Sequence, residues 1–259
     1  MLRSSIVIDS YAVLEDLKIK GGGWGVIISE FSNVEIRRCL IVDATQRTIL
    51  LPGNGGIGVH GVIEENVLRT TAFNGIQVDS AEGMTIRANV VEAQTGIQVG
   101  SGAGVSIVDN QLYPNGEEST VVYTGIFAST GDSFSGCEIA RNEVMGNGLG
   151  LVDDGITLWN ADYCRVTDNI VRGFTGSGIG LVTATGNILE RNSFQANSQN
   201  GIRFHPGSSD NRYGRNSAKG NAGGCSNPGI PTCGAPDLCD EGTGNLSFGD
   251  NLVPGPPPC

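Results

Sequence analysis

Gly75-Ile76-Gln77-Val78, Gly96-Ile97-Gln98-Val99, Gly125-Ile126-Phe127-Ala128, Gly155-Ile156-Thr157-Leu158, Gly178-Ile179-Gly180-Leu181 and Gly201-Ile202-Arg203-Phe204 are one phrase written six times. Gly25-Val26-Ile27-Ile28 is an earlier copy, and Thr48-Ile49-Leu50-Leu51 is a copy without the glycine. From residue 25 the starts are separated by 23, 27, 21, 29, 30, 23 and 23 residues. A second phrase, apolar-x-x-Asn-x-apolar, follows each start: Ile63 to Leu68 around Asn66, and likewise around Asn89, Asn110, Asn142, Asn169 and Asn192. In four repeats the Asn stands 14 residues after the Gly.

Each phrase alternates apolar with polar residues, the period of a strand that buries one face. A spacing near 23 residues is too short for a strand-helix-strand crossover, which needs about 30. It fits one turn of a solenoid with two or three short strands joined by bends. A lone coil cannot cover its apolar face, whereas stacked coils bury it against each other and satisfy the backbone through parallel ladders. An Asn at a fixed bend is expected to stack coil on coil, sharing its amide with the next Asn and tolerating a left-handed backbone. Gly before each strand is expected to allow the other bend. These readings predict an all-β chain of about eight or nine coils. The extra residues of the longer repeats fall in loops at 52–58, 113–122, 130–136 and 146–153, in the middle of the solenoid.

The repeat resembles that of the right-handed parallel β-helix proteins, the pectate-lyase-like superfamily, over roughly residues 5–220. The resemblance implies a right-handed coil and says little about activity. Residues 1–220 are expected to form the helix, and residues 221–259, rich in Cys, Pro and Gly, a disulfide-linked C-terminal cap. Such a cap would cover an open solenoid end that otherwise recruits other strands. Cys225, Cys233, Cys239 and Cys259 read as two disulfides, with three pairings open. Cys137 and Cys164 occupy matching places in consecutive coils and read as two small inward hydrophobes. Cys39, in the Asn place of its coil, reads as structural.

Composition narrows the partners. Forty glycines, roughly 15%, are about twice ordinary usage without a collagen period. The net charge of −11 gives no basic face for nucleic acid. No run of 18 apolar residues could span a membrane. Met1 to Ser5 leads directly into the strand-like Ile6-Val7-Ile8, so an export signal is not legible, yet the cysteines lead us to expect a secreted protein. Oligomeric state is not legible.

Strand alternation also says which side chains face outward on the Gly-Ile strand: Ile27, Leu50, Gln77 and Asp79, Gln98 and Gly100, Phe127, Thr157 and Trp159, Gly180 and Val182, Arg203 and His205. Trp159 and Phe127 suit stacking on sugar rings, with Gln77, Asp79 and Gln98 for hydroxyls. The competing reading covers both aromatics with the 113–122 and 146–153 loops. Asp153-Asp154-Gly155-Ile156 resembles the Asp-Asp-Cys-Ile of polygalacturonase-type hydrolases. The chain departs from that family at Tyr123-Thr124-Gly125 and Gly176-Ser177-Gly178, where the family has Asn-Thr-Asp and Gly-His-Gly. The Tyr-Gly-x-Asp-Pro-His motif of mannuronan epimerases is absent too. Asp153 and Asp154 could instead hold Ca²⁺ as oxygen ligands. Arg203 and His205 could neutralise a uronate carboxylate and remove its C5 proton, with Asp153 and Asp154 in support. Two coils separate the acids from His205, roughly 10 Å, so direct contact requires an inward bend. The expectation is a secreted carbohydrate-active β-helix protein, a lyase or epimerase acting on an acidic polysaccharide. The alternative is a non-catalytic glycan-binding, adhesin-like or structural module.

Overall fold

The computed structural model describes residues 6–8, 11–28, 33–52, 58–70, 73–115, 124–128, 134–148, 154–223, 238–248 and 251. Asp153, Tyr123, Cys225, Cys233 and Cys259 lie outside them. All regular structure among the described residues is strand, and every strand pair is parallel. Two ten-stranded sheets, a nine-stranded sheet and a short four-stranded sheet wrap around one axis. The chain visits the three long sheets in turn, so consecutive strands of one sheet are one coil apart.

The first sheet holds the Gly-Ile phrase. Its register aligns Ile49, Ile76, Ile97, Ile126, Ile156, Ile179 and Ile202 as one inward column, all buried. Each such side chain contributes about 1.5–3 kcal/mol relative to exposure. The same register aligns Leu50, Gln77, Gln98, Phe127, Thr157, Gly180 and Arg203 on the outer face. The first outward position of each phrase therefore forms one row, and Trp159 and Val182 belong to the next.

The glycines act differently from expectation. Gly75, Gly96, Gly125, Gly155 and Gly178 do not have left-handed φ. A Cβ on Gly75 would collide with Val91 and with the carbonyl oxygen of Gly96, and Gly125 and Gly155 are crowded the same way. They are required for close approach between coils, not for a bend.

The Asn column forms as expected, from Asn66 through Asn89, Asn110, Asn142, Asn169, Asn192 and Asn216 to Asn251. In each step the backbone N–H and side-chain amide of one Asn donate to Oδ1 of the next, as Asn142 does to Asn169 at 3.0 Å for both. The second amide hydrogen reaches back, Asn142 Nδ2 to the Ile107 carbonyl at 2.8 Å. Each Asn thus ties three coils together. The left-handed residue is the one before each Asn: Glu65, Ala88, Asp109, Arg141, Asp168 and Arg191 have φ of 53–58°. The bend needs the Asn side chain aimed inward, so the strain falls on its neighbour. There opposite charges stack between coils, Arg141 on Asp109 and Arg191 on Asp168, both at 2.8 Å. Cys39 opens the column as expected of a structural residue, its N–H donating to Asn66 Oδ1.

A second, shorter Asn column runs through Asn187, Asn211 and Asn245. Its next place back is Cys164, whose N–H donates to Asn187 Oδ1 at 2.8 Å. Here the reading of Cys137 and Cys164 as free core residues is corrected: they form a disulfide. Stacking in register brings their Cα atoms to 4.4 Å, within bridging range. Past residue 221 the pairing continues: Leu238–Asp240 joins the first sheet beside Ile202–Phe204, and Leu246–Ser247 joins the second beside Arg212–Gly214. Cys239 in the first of these strands is disulfide-bonded.

Candidate functional site

The outer row of the first sheet narrows to a glycine at Gly180. Thr157 precedes it and Arg203 follows it in register. Because Gly180 has no side chain, the space above it is open to its neighbours. Asp154 Oδ2 lies where a Cβ on Gly180 would stand, and His205 Nε2 is 3.6 Å from the same point. The two groups are therefore no more than about 6 Å apart, within reach directly or through one water. The inward bend is made by Asp154 itself, whose Oδ1 accepts the Ser177 N–H at 2.6 Å. The two-coil gap expected between the acid and the histidine is closed over the glycine.

His205 is half-buried. Burial, and then the nearby Arg203 guanidinium, push its imidazole below the ordinary histidine range, while Glu241 opposes the shift. Arg203 does not face open solvent: one Nη donates to Glu241 Oε2 at 3.2 Å and the other to Gln199 Oε1 at 3.1 Å. The pair is well covered, with side chains 17% and 5% exposed. Glu241 comes from the tail, where no repeat phrase assigns a register, so sequence reading missed it. Its backbone follows Leu238–Asp240, and its N–H donates to the Phe204 carbonyl at 2.8 Å.

Trp159 lies on the same face, in register with Val182 and about 10 Å, two coils, before His205. It is 44% exposed; most of the 113–122 and 146–153 loops lies outside the described residues. Phe127 is half-buried against it, ring centroids 6.4 Å apart and planes at 58°. Gln77, Asp79 and Gln98 lie further toward the N-terminus in one network. Gln77 Nε2 donates to Asp79 Oδ1 at 2.5 Å, and Asn74 Nδ2 donates to Gln77 and Gln98 at 2.7 and 2.6 Å. Of the expected set, Asp154 and His205 are brought together, Trp159 stands on the same face two coils away, Arg203 is tied to Glu241, and the glutamines stand apart. Among the described residues no three His, Cys, Asp or Glu side chains group as metal ligands. Asp153, the other carboxylate of the Ca²⁺ expectation, lies outside the described residues.

The family model for the right-handed β-helix region matches residues 4–133 and 74–230. The chain belongs to the right-handed β-helix family. No curated protein sequence matches it. Among solved β-helices it is similar to the A-module of the Azotobacter vinelandii mannuronan C-5 epimerase AlgE6, at 15% identity and a TM-score of 0.60, covering 94% of this chain and 71% of that one. It is similar to a double mutant of the periplasmic alginate epimerase AlgG, at 13% identity and a TM-score of 0.62, covering 96% and 77%. A third is ORF18 of Geobacillus virus E2, at 12% identity and a TM-score of 0.68, covering 96% of this chain and 52%, about half, of the phage protein. Likeness at these identities establishes the shared β-helix fold.

Proposed function

We propose that this β-helix binds an acidic polysaccharide along the outer face of its first sheet and removes the C5 proton of a uronate at Gly180. The observation that carries the reading is the meeting of the Asp154 carboxylate and the His205 imidazole over Gly180. Burial and the Arg203 guanidinium favour the neutral imidazole, the form from which a general base starts. His205 takes the C5 proton, and the electron pair passes into the uronate carboxyl group. Asp154, fixed by Ser177, stabilises the imidazolium that results. The electron pair then either expels the C4 substituent, giving an unsaturated sugar, or takes a proton on the opposite face, giving the C5 epimer. Trp159, backed by Phe127, supplies the stacking platform. Two of the similar solved proteins are epimerases by their titles, which supports the substrate class. A secreted location fits the Cys137–Cys164 disulfide, since such bonds persist in oxidising compartments.

One observation favours a second reading, glycan binding without turnover. Arg203, the cation expected to neutralise the uronate carboxylate, is engaged by Glu241. Polymannuronate and polygalacturonate assayed for unsaturated product by ultraviolet absorbance, and for C5 inversion by NMR, separate the two. Turnover that disappears in His205→Gln supports the first reading. Retained binding with no turnover establishes the second.

A further inference from the structure

At the corner where the chain enters the second sheet, one residue of each coil has a left-handed backbone. From Gly83 to Gly244 these seven residues have φ of 55–67°, and five of them are glycine. The exceptions are Asp210 and Tyr163. A left-handed backbone disfavours any residue with a Cβ, and a bulky one most. Asp tolerates it, whereas nothing in the fold compensates Tyr163. Its side chain is 69% exposed, and its hydroxyl and ring have no hydrogen-bond or ring partner among the described residues. The ring rests on the next coil in the space a side chain at Gly186 would need, with Cε1 2.7 Å from where that Cβ would stand. It is thus held from beneath by bare backbone and open to solvent above. Asp210, one coil further on, leans away from it toward Gly244. Strain that the fold does not repay points to a function for the side chain.

Arg165 stands two residues on, exposed on the outer face of the second sheet between the buried Cys164 and Val166. Nine of the twelve described arginines are ion-paired to a carboxylate. Of the other three, Arg47 donates to Gln77 and Arg212 lies 5.2 Å over the Phe248 ring. Arg165 alone has no ion pair, hydrogen bond or ring contact among the described residues. Its register neighbours are the apolar Ile188 and Glu138, which leans back to accept from Ser106 Oγ at 3.4 Å. An exposed, unpaired cation in a chain of net charge −11 is a place for an anion. Two residues along the strand and one coil across it span about 7 by about 5 Å, the footprint of one pyranose. There the tyrosine ring takes the apolar face of a sugar, and the guanidinium takes its carboxylate with two parallel N–H bonds. We propose that Tyr163 and Arg165 form a secondary binding site for one uronate unit, separate from the Asp154–His205 centre. The inference rests on the acidic-glycan reading above for the identity of the ligand. Tyr163 follows Trp159 by four residues, past the strand Ala161–Asp162. The site therefore lies around the corner from the first sheet and anchors a second stretch of the polymer.

NMR reads the two places separately, from the Arg165 Nε–H and Tyr163 ring signals and from the His205 ring signal. The probes are trigalacturonate, trimannuronate and their carboxyl-reduced neutral forms. A saturable shift at Arg165 and Tyr163 with a triuronate, absent with the neutral form, is expected, and it should persist in His205→Gln. Arg165→Gln, followed at Tyr163, should weaken binding roughly tenfold to a hundredfold, the effect of removing a charged double hydrogen bond. Tyr163→Gly, followed at Arg165, should weaken it roughly threefold to tenfold through the lost stacking. Its Tm should stay close to the parent's, because relief of the left-handed backbone offsets the greater freedom of glycine in the unfolded chain. Signals unmoved by millimolar triuronate, equal binding of the neutral forms, or a Tm several degrees lower in Tyr163→Gly overturn the site. Shifts at Arg165 and Tyr163 with an inert C5 proton in the wild type keep the site and reject the catalytic reading. Turnover with both signals unmoved does the reverse.

Discussion

Gly180→Ala is a one-methyl change with a large expected consequence. The new Cβ would occupy the place of Asp154 Oδ2, so the carboxylate must move and its bond to the Ser177 N–H at 2.6 Å is lost. Ser177 is fully buried, and its N–H would be left without that acceptor. A hydrogen bond to a charged group contributes about 1.5–3 kcal/mol. Alanine in a strand recovers about 0.5–1 kcal/mol relative to glycine, and Gly180 has no left-handed φ to forbid it. The net loss is about 1–2 kcal/mol, or a few degrees in Tm at about 2–4 °C per kcal/mol for a domain of this size. Turnover should fall by about a hundredfold or more, because a misplacement near 1 Å has that effect on a positioned group. The assay is a double-mutant cycle with Asp154→Ala, read by urea denaturation and by rate. With Asp154 already removed, the methyl meets no carboxylate, and Gly180→Ala should be neutral or slightly stabilising. Additive effects of the two changes would refute the placement of Asp154 over Gly180.

Other outcomes follow from the same geometry. Asn142→Ala removes an amide that bonds to Ile107, Asn110 and Asn169 and should cost about 3–5 kcal/mol in chemical denaturation, since several buried groups lose partners together. Replacing Cys137 and Cys164 by Ala opens a link between residues 27 apart and should cost about 3–4 kcal/mol on the chain-entropy account, again read by denaturation. His205 has a depressed folded-state value, so the unfolded chain binds the proton more readily. Its contribution then destabilises the fold as pH drops below the ordinary value of about 6.5, and His205→Gln should flatten that part of the stability profile. Glu241 opposes the depression, so Glu241→Gln should move the His205 midpoint lower still in an NMR titration.

The repeat makes the outer row legible in the sequence. Register follows from strand alternation once two phrases recur at fixed offset, and the Gln77-to-Arg203 row came out residue by residue. What escaped depends on contacts between coils. Asp154 crosses a coil because the residue in between lacks a side chain, a fact about three strands at once. The left-handed strain sits beside the Asn because the Asn side chain must point inward to its ladder. The Cys137–Cys164 bond was readable in principle, since two inward side chains at one strand spacing are within bridging range. Small inward side chains at that spacing read equally well as packed free thiols. Glu241 could not be found, because the tail follows no phrase from which its partner strand could be inferred.

The most direct test of the account follows the C5 hydrogen of a polyuronate by NMR in deuterated buffer. Lyase and epimerase chemistry share its removal. The wild-type protein is expected to eliminate the C5 hydrogen by unsaturation or to exchange it for deuterium, and His205→Gln to do neither. A C5 hydrogen that stays intact on a polyuronate bound to the wild-type protein would contradict it.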